Sequence, residues 1–140
     1  MARPTSFRLP SGLLARLEEE AANTGSTVTA LVSRLLDEGL KTRRFPGIVY
    51  RDGPAGRRAG LAGGPDVWEL VRAVKAAGGE GQHRLRQVAD ELGLPLSHVS
   101  RAIDFYVAFP DEIDERIATD ERSAARVREL IERRDRLMSG

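Results

Sequence analysis

The side chains able to do chemistry in this chain are mainly arginines and small hydroxyls, at spacings that suit binding better than bond-making. Ser6 and Arg8 alternate along a short run behind Arg3. Ser26 and Thr27 stand together ahead of a helical pattern, and Arg43 and Arg44 follow it. Ser97, His98, Ser100 and Arg101 cluster further on, and Arg126, Arg128, Arg133 and Arg134 crowd the tail. A guanidinium fork matches guanine O6 and N7, or a phosphate, and a hydroxyl both donates and accepts. These residue types point to nucleic-acid and protein surfaces.

Catalytic patterns are missing. His83 and His98 lie fifteen residues apart with no companion ligands at metal spacing, and there is no cysteine. No serine sits in a nucleophile elbow. Asp111, Glu112, Asp114 and Glu115 suit a helix start better than acid–base work. No GxGxxG precedes a helix and no Gly-Lys-Ser/Thr occurs, so a phosphate-cradling loop is not expected. The expectation is a protein that is not an enzyme, with no metal and no cofactor.

The elements that must position the front residues lie within residues 4–40. From Thr5 to Leu9 polarity alternates, with Phe7 and Leu9 on one face and Ser6 and Arg8 on the other, which predicts a strand. Pro10 ends it. Ser11 is placed to cap a helix with Leu13, Leu14, Leu17 and Ala21 along one stripe, closed by Asn23-Thr24-Gly25. Ser26 or Thr27 caps a second helix carrying Val28, Leu31, Val32, Leu35, Leu36 and Leu40. A lone strand leaves backbone groups unpaired, and so short a stretch makes too small a core. Pairing two chains through an antiparallel ribbon resolves both problems.

FRLPSGLLARL followed by GSTVTALVSRLLDEGL resembles the ribbon-helix-helix family of DNA-binding dimers. In such a ribbon the outer face enters the major groove, which is about 12 Å wide. That face is Ser6 and Arg8, the expected base readers; otherwise they only solvate a dimerisation ribbon. Arg3, the helix start at Ser26-Thr27, and the basic Arg43 and Arg44 are the expected phosphate contacts. Arg16, Glu18, Glu19 and Glu20 read as solvated surface.

Charge is unevenly spread over the 140 residues. Residues 1–60 hold ten Arg/Lys against six Asp/Glu, whereas residues 110–140 hold seven against nine. A basic front and a mildly acidic, charge-dense tail suggest two different partners. No run of 18 apolar residues occurs and the N-terminus lacks an apolar signal region, so a cytoplasmic, non-membrane protein is expected.

Residues 41–65 turn rich in Gly and Pro and are read as non-helical. Gly47–Tyr50 and Arg57–Leu61 read as two strands joined at Asp52-Gly53, either a wing on the next domain or a linker with phosphate contacts. Pro65 opens a helix to Ala77, with Val67, Leu70, Val71 and Val74 inward and Trp68 as a packing anchor. Residues 85–109 read as a helix-turn-helix. Leu85, Val88, Ala89 and Leu92 line one helix, Gly93 makes the turn, and Val99, Ile103 and Tyr106 line the other, capped by Ser97. Its outer face carries Ser97, His98, Ser100 and Arg101, a candidate second DNA contact, and Asp104, which would repel phosphate; the motif can equally serve only to hold the domain together.

From Phe45 to Ile117 the chain also resembles a small winged-helix family found among antitoxins of toxin–antitoxin operons. FPGIVYRDGPAGRRAGLAGGPDVWELV and the ending YVAFPDEIDERI carry the likeness. It implies a VapB-type antitoxin and autorepressor that neutralises a PIN-like ribonuclease toxin. The tail helix has a weak apolar stripe, capped by Asp111 and open to a break at Thr119-Asp120. Pairs such as Glu129–Arg133 and Glu132–Arg136 are the plain reading of its charges. The resemblance implies a sharper one, in which Arg126, Arg128, Arg133 or Arg134 enters a toxin's carboxylate cluster.

The expected fold is mainly α. It comprises a swapped-ribbon ribbon-helix-helix domain (1–42), a β-hairpin with helix-turn-helix (43–110) and a charged C-terminal helix (111–140). Expected partners are double-stranded DNA, a second copy of the chain (as a dimer or a pair of dimers) and a PIN-like toxin. The alternative is a stand-alone transcription regulator, or a partition or nucleoid protein, without a toxin.

Overall fold

The computed structural model describes residues 2–140, which form six helices and one two-stranded hairpin in two compact units, one ending at Arg44 and the other running from Phe45 to Gly140. The fold is mainly α.

Unit 1 is a pair of helices, α1 (Ser11–Thr24) and α2 (Val28–Arg44). Pro10 holds the cap position of α1, with extended backbone, and Ser11 falls inside the first turn instead of capping it. Gly25 ends the helix in the left-handed region at φ 67°. There the Gly25 and Ser26 amides donate to the Ala22 and Ala21 carbonyls at 3.4 and 2.9 Å. This pairing satisfies carbonyls that a helix end otherwise strands. Thr27 caps α2, its Oγ1 accepting from the Ala30 amide at 3.1 Å. The last turn of α2 carries Lys41, Arg43 and Arg44, cations suited to the negative end of the dipole. Residues 41–44 are therefore helical and not part of the Gly/Pro-rich segment.

The strand expected over Thr5–Leu9 is not formed. Residues 2–10 take no regular secondary structure and are exposed throughout. A strand exists only by hydrogen bonding to a neighbour, and the one sheet among the described residues pairs the hairpin strands with each other. Within unit 1 only Ala21 and Leu31 are buried apolar residues among those described, while Phe7, Leu9, Leu13, Leu14, Leu35, Leu36 and Leu40 face solvent.

Unit 2 opens with β1 (Ile48–Arg51) and β2 (Arg58–Leu61), paired antiparallel with Ile48 opposite Leu61 and Arg51 opposite Arg58. Six residues join them, so Asp52-Gly53 begins a longer loop and is not a two-residue turn; Gly56, at φ 105°, bonds back to the Gly53 carbonyl at 2.9 Å. The helices are α3 (Val67–Ala76), α4 (Gly81–Leu92), α5 (Leu96–Ala108) and α6 (Pro110–Ser139). The core runs through Ile48, Leu61, Val67, Leu70, Val71, Val88, Val99, Ala102, Phe105, Ile113 and Ile117. Phe105 is its centre, with the Phe45 and Phe109 rings 5.4 and 5.2 Å away in edge-on and tilted contact.

Several helix details differ from the sequence expectation. Asp66, and not Pro65, starts α3 through a capping box with Glu69. Leu92 is largely exposed at the end of α4. Pro95, not Ser97, precedes α5, and Ala102 and Phe105 fill the core where Ile103 and Tyr106 only flank it. The reason is that α5 is packed by α3, α4, α6 and β2 together, so its buried face is wide. α6 runs unbroken through Thr119-Asp120, with Phe109 in the cap position and Pro110 in the first turn. Its first half belongs to the unit 2 core through Ile113 and Ile117, so no boundary falls at residue 110.

Candidate nucleic-acid and partner interfaces

Arg3, Ser6 and Arg8 lie together on the irregular N-terminal segment, all exposed. At the start of α2 the hydroxyl of Ser26 lies 3.1 Å from that of Thr24, and its amide is used by Ala21. Thr27 is used by its own cap. What this helix end offers an anion is its dipole and the first-turn amides of Val28 and Thr29, not the side chains of Ser26 and Thr27. Arg43 and Arg44 are exposed at the other end of the same helix. Seventeen residues separate the ends, and at 1.5 Å per residue that is roughly 25 Å. The expected phosphate contacts at the two ends of α2 are therefore separate groups, with Arg3 on the N-terminal segment besides.

In unit 2 the hairpin's arginines turn mostly inward. Arg51 donates through Nη2 to Asp66 Oδ1 at 2.7 Å and through Nη1 to the Gly64 carbonyl at 2.9 Å. Arg58 donates through Nε to Asp66 Oδ2, and Trp68 Nε1–H donates to the same oxygen at 3.2 Å. Burial pushes the Asp66 carboxyl up, but the hydrogen bonds from Arg58, Arg51 and Trp68 outweigh it and hold its pKa below the ordinary value. The sequence reading missed Asp66. Its signal was the Asp66-Val67-Trp68-Glu69 spacing, an acidic version of the capping box. Trp68 is the expected anchor, buried, with the Arg72 guanidinium 4.8 Å from its ring centre.

The wing is tied down, so a phosphate-carrying linker is not what this segment makes. Arg116 of α6 donates to the Ala55 carbonyl at the hairpin tip at 2.6 Å, and Tyr50 Oη donates to Glu112 at 2.9 and 3.0 Å. Arg57 faces Asp52 at 3.2 Å. On α5, Ser97 and His98 are exposed and Ser100 and Arg101 half-buried. Ser97, His98 and Arg101 share a cleft of about 430 Å³ with Pro46, Gly47, Leu61 and Ala62 at the hairpin base, whereas Ser100 lies outside it. Asp104 is exposed one turn further along.

Arg126, Arg128, Arg133 and Arg134 project from the exposed second half of α6. The expected pairs Glu129–Arg133 and Glu132–Arg136 are not among the ion pairs of the described residues. Exposed i,i+4 pairs of this kind stabilise a helix by only about 0.3–0.5 kcal/mol, too little to hold two long side chains in one geometry. These arginines are left to solvent. Among the described residues no helix is long and apolar enough to cross a membrane.

Comparison with protein-family models, curated proteins and solved structures finds no match to this chain.

Proposed function

We propose that the protein is a homodimeric, sequence-specific DNA-binding antitoxin of the VapB type, which represses its own operon and neutralises a PIN-like ribonuclease toxin. The observation that carries the reading is the apolar surface of unit 1. Phe7, Leu9, Leu13, Leu14, Leu35, Leu36 and Leu40 face solvent, and they are the positions that a swapped ribbon-helix-helix dimer encloses. Closing them against a second copy pairs the 5–9 segments as a ribbon and presents Ser6 and Arg8 on its outer face. The solvent-facing arginines in the second half of α6 support the second half of the reading, since a nuclease site gathers carboxylates. In the alternative, a regulator without a toxin, the exposed apolar side chains of α6 would have another copy of the chain to meet, making the tail an oligomerisation helix.

The test is binding to the chain's own upstream DNA across a salt series, with oligomeric state measured alongside. Arg8→Ala is expected to cost about 1–3 kcal/mol of site-specific affinity while non-specific binding is retained. Wild-type binding by Arg8→Ala makes the ribbon a dimerisation device only, and reading passes to Ser100 and Arg101. A chain that stays monomeric at micromolar concentration ends the proposal. An adjoining reading frame for a PIN-like protein separates the antitoxin from the stand-alone regulator.

A further inference from the structure

The hairpin, residues 48–61, carries three arginines, Arg51, Arg57 and Arg58, against the single carboxylate of Asp52. So basic a wing is drawn to a nucleic-acid backbone by charge alone. Its cations face carboxylates of their own chain. Asp66 takes Arg51 Nη2 on Oδ1 at 2.7 Å and Arg58 Nε on Oδ2, and Arg57 faces Asp52 at 3.2 Å.

The two guanidinium groups on Asp66 have seats built into the hairpin. Gly60 backs Arg51 and Gly53 backs Arg58, and a Cβ at either glycine would overlap the guanidinium. The cluster is nevertheless not balanced as a closed ion pair is. Two cations share one anion, and Arg51 Nε and Arg58 Nη1 are buried without a hydrogen-bond acceptor. The Arg51 and Arg58 side chains also keep 31% and 24% of their surface in solvent. Surplus positive charge with unmet donors favours any further anion that comes within reach. Asp66 itself offers two anionic oxygens on one centre, each taking one guanidinium, which is what a phosphodiester offers.

We propose that Asp66 sets the specificity of DNA binding by standing in for a phosphate and withholding Arg51 and Arg58 from the nucleic-acid backbone. Arginine–phosphate contacts strengthen every sequence alike. A protein that must tell one site from all others therefore discriminates better when its surplus cations are held internally. The inference rests on the reading that the chain binds DNA, and it names the cations kept out of that contact.

The experiment measures binding of the full chain to a random-sequence duplex and to its own upstream DNA across a salt series. The variants are Asp66→Asn, Arg58→Gln, and Asp66→Asn combined with Arg51→Gln and Arg58→Gln. Circular dichroism and Trp68 fluorescence check that each stays folded. Asp66→Asn is expected to bind random duplex more tightly and to steepen the slope of log affinity against log salt by about two, since each freed guanidinium adds about 0.9. The gain should then shrink about tenfold as salt rises about fourfold, and the preference for upstream DNA should fall. The combined variant should return to the wild-type slope. Arg58→Gln alone leaves Arg51 on Asp66, and it should leave the wild-type slope unchanged; it decides the matter if Asp66→Asn does not fold. A slope lowered by Arg58→Gln would put that arginine on DNA already and overturn the proposal. So would a folded Asp66→Asn that binds random duplex no better than wild type, or a gain that survives in the combined variant. A wild-type chain that binds neither duplex ends the DNA-binding reading. A gain by Asp66→Asn would then still support the withholding, whereas no binding by either protein overturns both.

Discussion

Arg51 and Arg58 stand opposite each other across the hairpin, and the carboxylate of Asp66 holds both. Two cations share one acceptor that is itself 7% exposed, at the point where the hairpin meets the first turn of α3. Removing one partner of a buried pair costs about 3–5 kcal/mol, because the other charge is left desolvated. Both guanidinium groups keep some solvent, so Asp66→Asn is expected at the low end, about 3 kcal/mol, in urea unfolding of unit 2. A loss under about 0.5 kcal/mol, the size of an ordinary surface substitution, would show that the cluster adds nothing to the fold.

The same carboxylate sets an acid limb. Its pKa in the fold lies below the ordinary 3.8, so its contribution is fully present above that value. Protonation removes it as the pH falls through the lower, folded pKa. Wild-type stability should therefore decline in that acid window, and Asp66→Asn should lose this component of the slope. Identical acid limbs for the two proteins would contradict the assignment.

Unit 1 is expected to depend on protein concentration. Its exposed leucines give the two-helix unit little core of its own, so its melting temperature should rise with concentration, as for any fold coupled to association. Leu36→Asp should abolish that dependence and lower the melting point, while the unit 2 transition stays in place. Two-transition calorimetry at several concentrations reads both effects. A concentration-independent wild type rules out the dimer.

Gly93→Ala isolates one backbone conformation. Gly93 ends α4 at φ 64°, and a Cβ there meets nothing within 4 Å. The whole effect is the left-handed backbone, about 1–2 kcal/mol for a non-glycine residue. Gly93→Asn should recover part of it, since asparagine tolerates that region better. A neutral Gly93→Ala would mean that the turn between α4 and α5 relaxes to another shape.

These sites were unevenly legible in the sequence. The apolar stripes of the helices and the Gly25 and Gly93 ends were readable, because 3.6-residue periodicity and left-handed caps are local signals. The hairpin was readable from its Gly/Pro punctuation, but not its six-residue loop. Asp66 was hidden because its role lies in meeting Arg51 and Arg58, fifteen and eight residues back, and Pro65 offered a competing helix start. The continuity of α6 was hidden for a similar reason: Thr119-Asp120 looks like a break locally, yet Asp120 is tied to Arg72 at 2.5 Å. The segment around Arg8 shows alternating polarity but has no neighbouring strand to pair with among the described residues, so its strand is absent.

Arg43 and Arg44 give the sharpest test of the DNA contact proposed for unit 1. They lie one helix length from the Val28 and Thr29 amides, so a duplex touching both groups must follow the whole of α2. Every guanidinium withdrawn from a phosphate should lower the slope of log affinity against log salt by about 0.9. Arg43→Ala with Arg44→Ala is thus expected to reduce the slope by about two and to weaken specific and non-specific DNA alike. Arg8→Ala should instead weaken the specific site with little further change in slope, since a base-reading arginine releases few counterions. A double variant with an unchanged slope would place Arg43 and Arg44 off the DNA. Phosphate binding by unit 1 would then be confined to the N-terminal end of α2 and to Arg3.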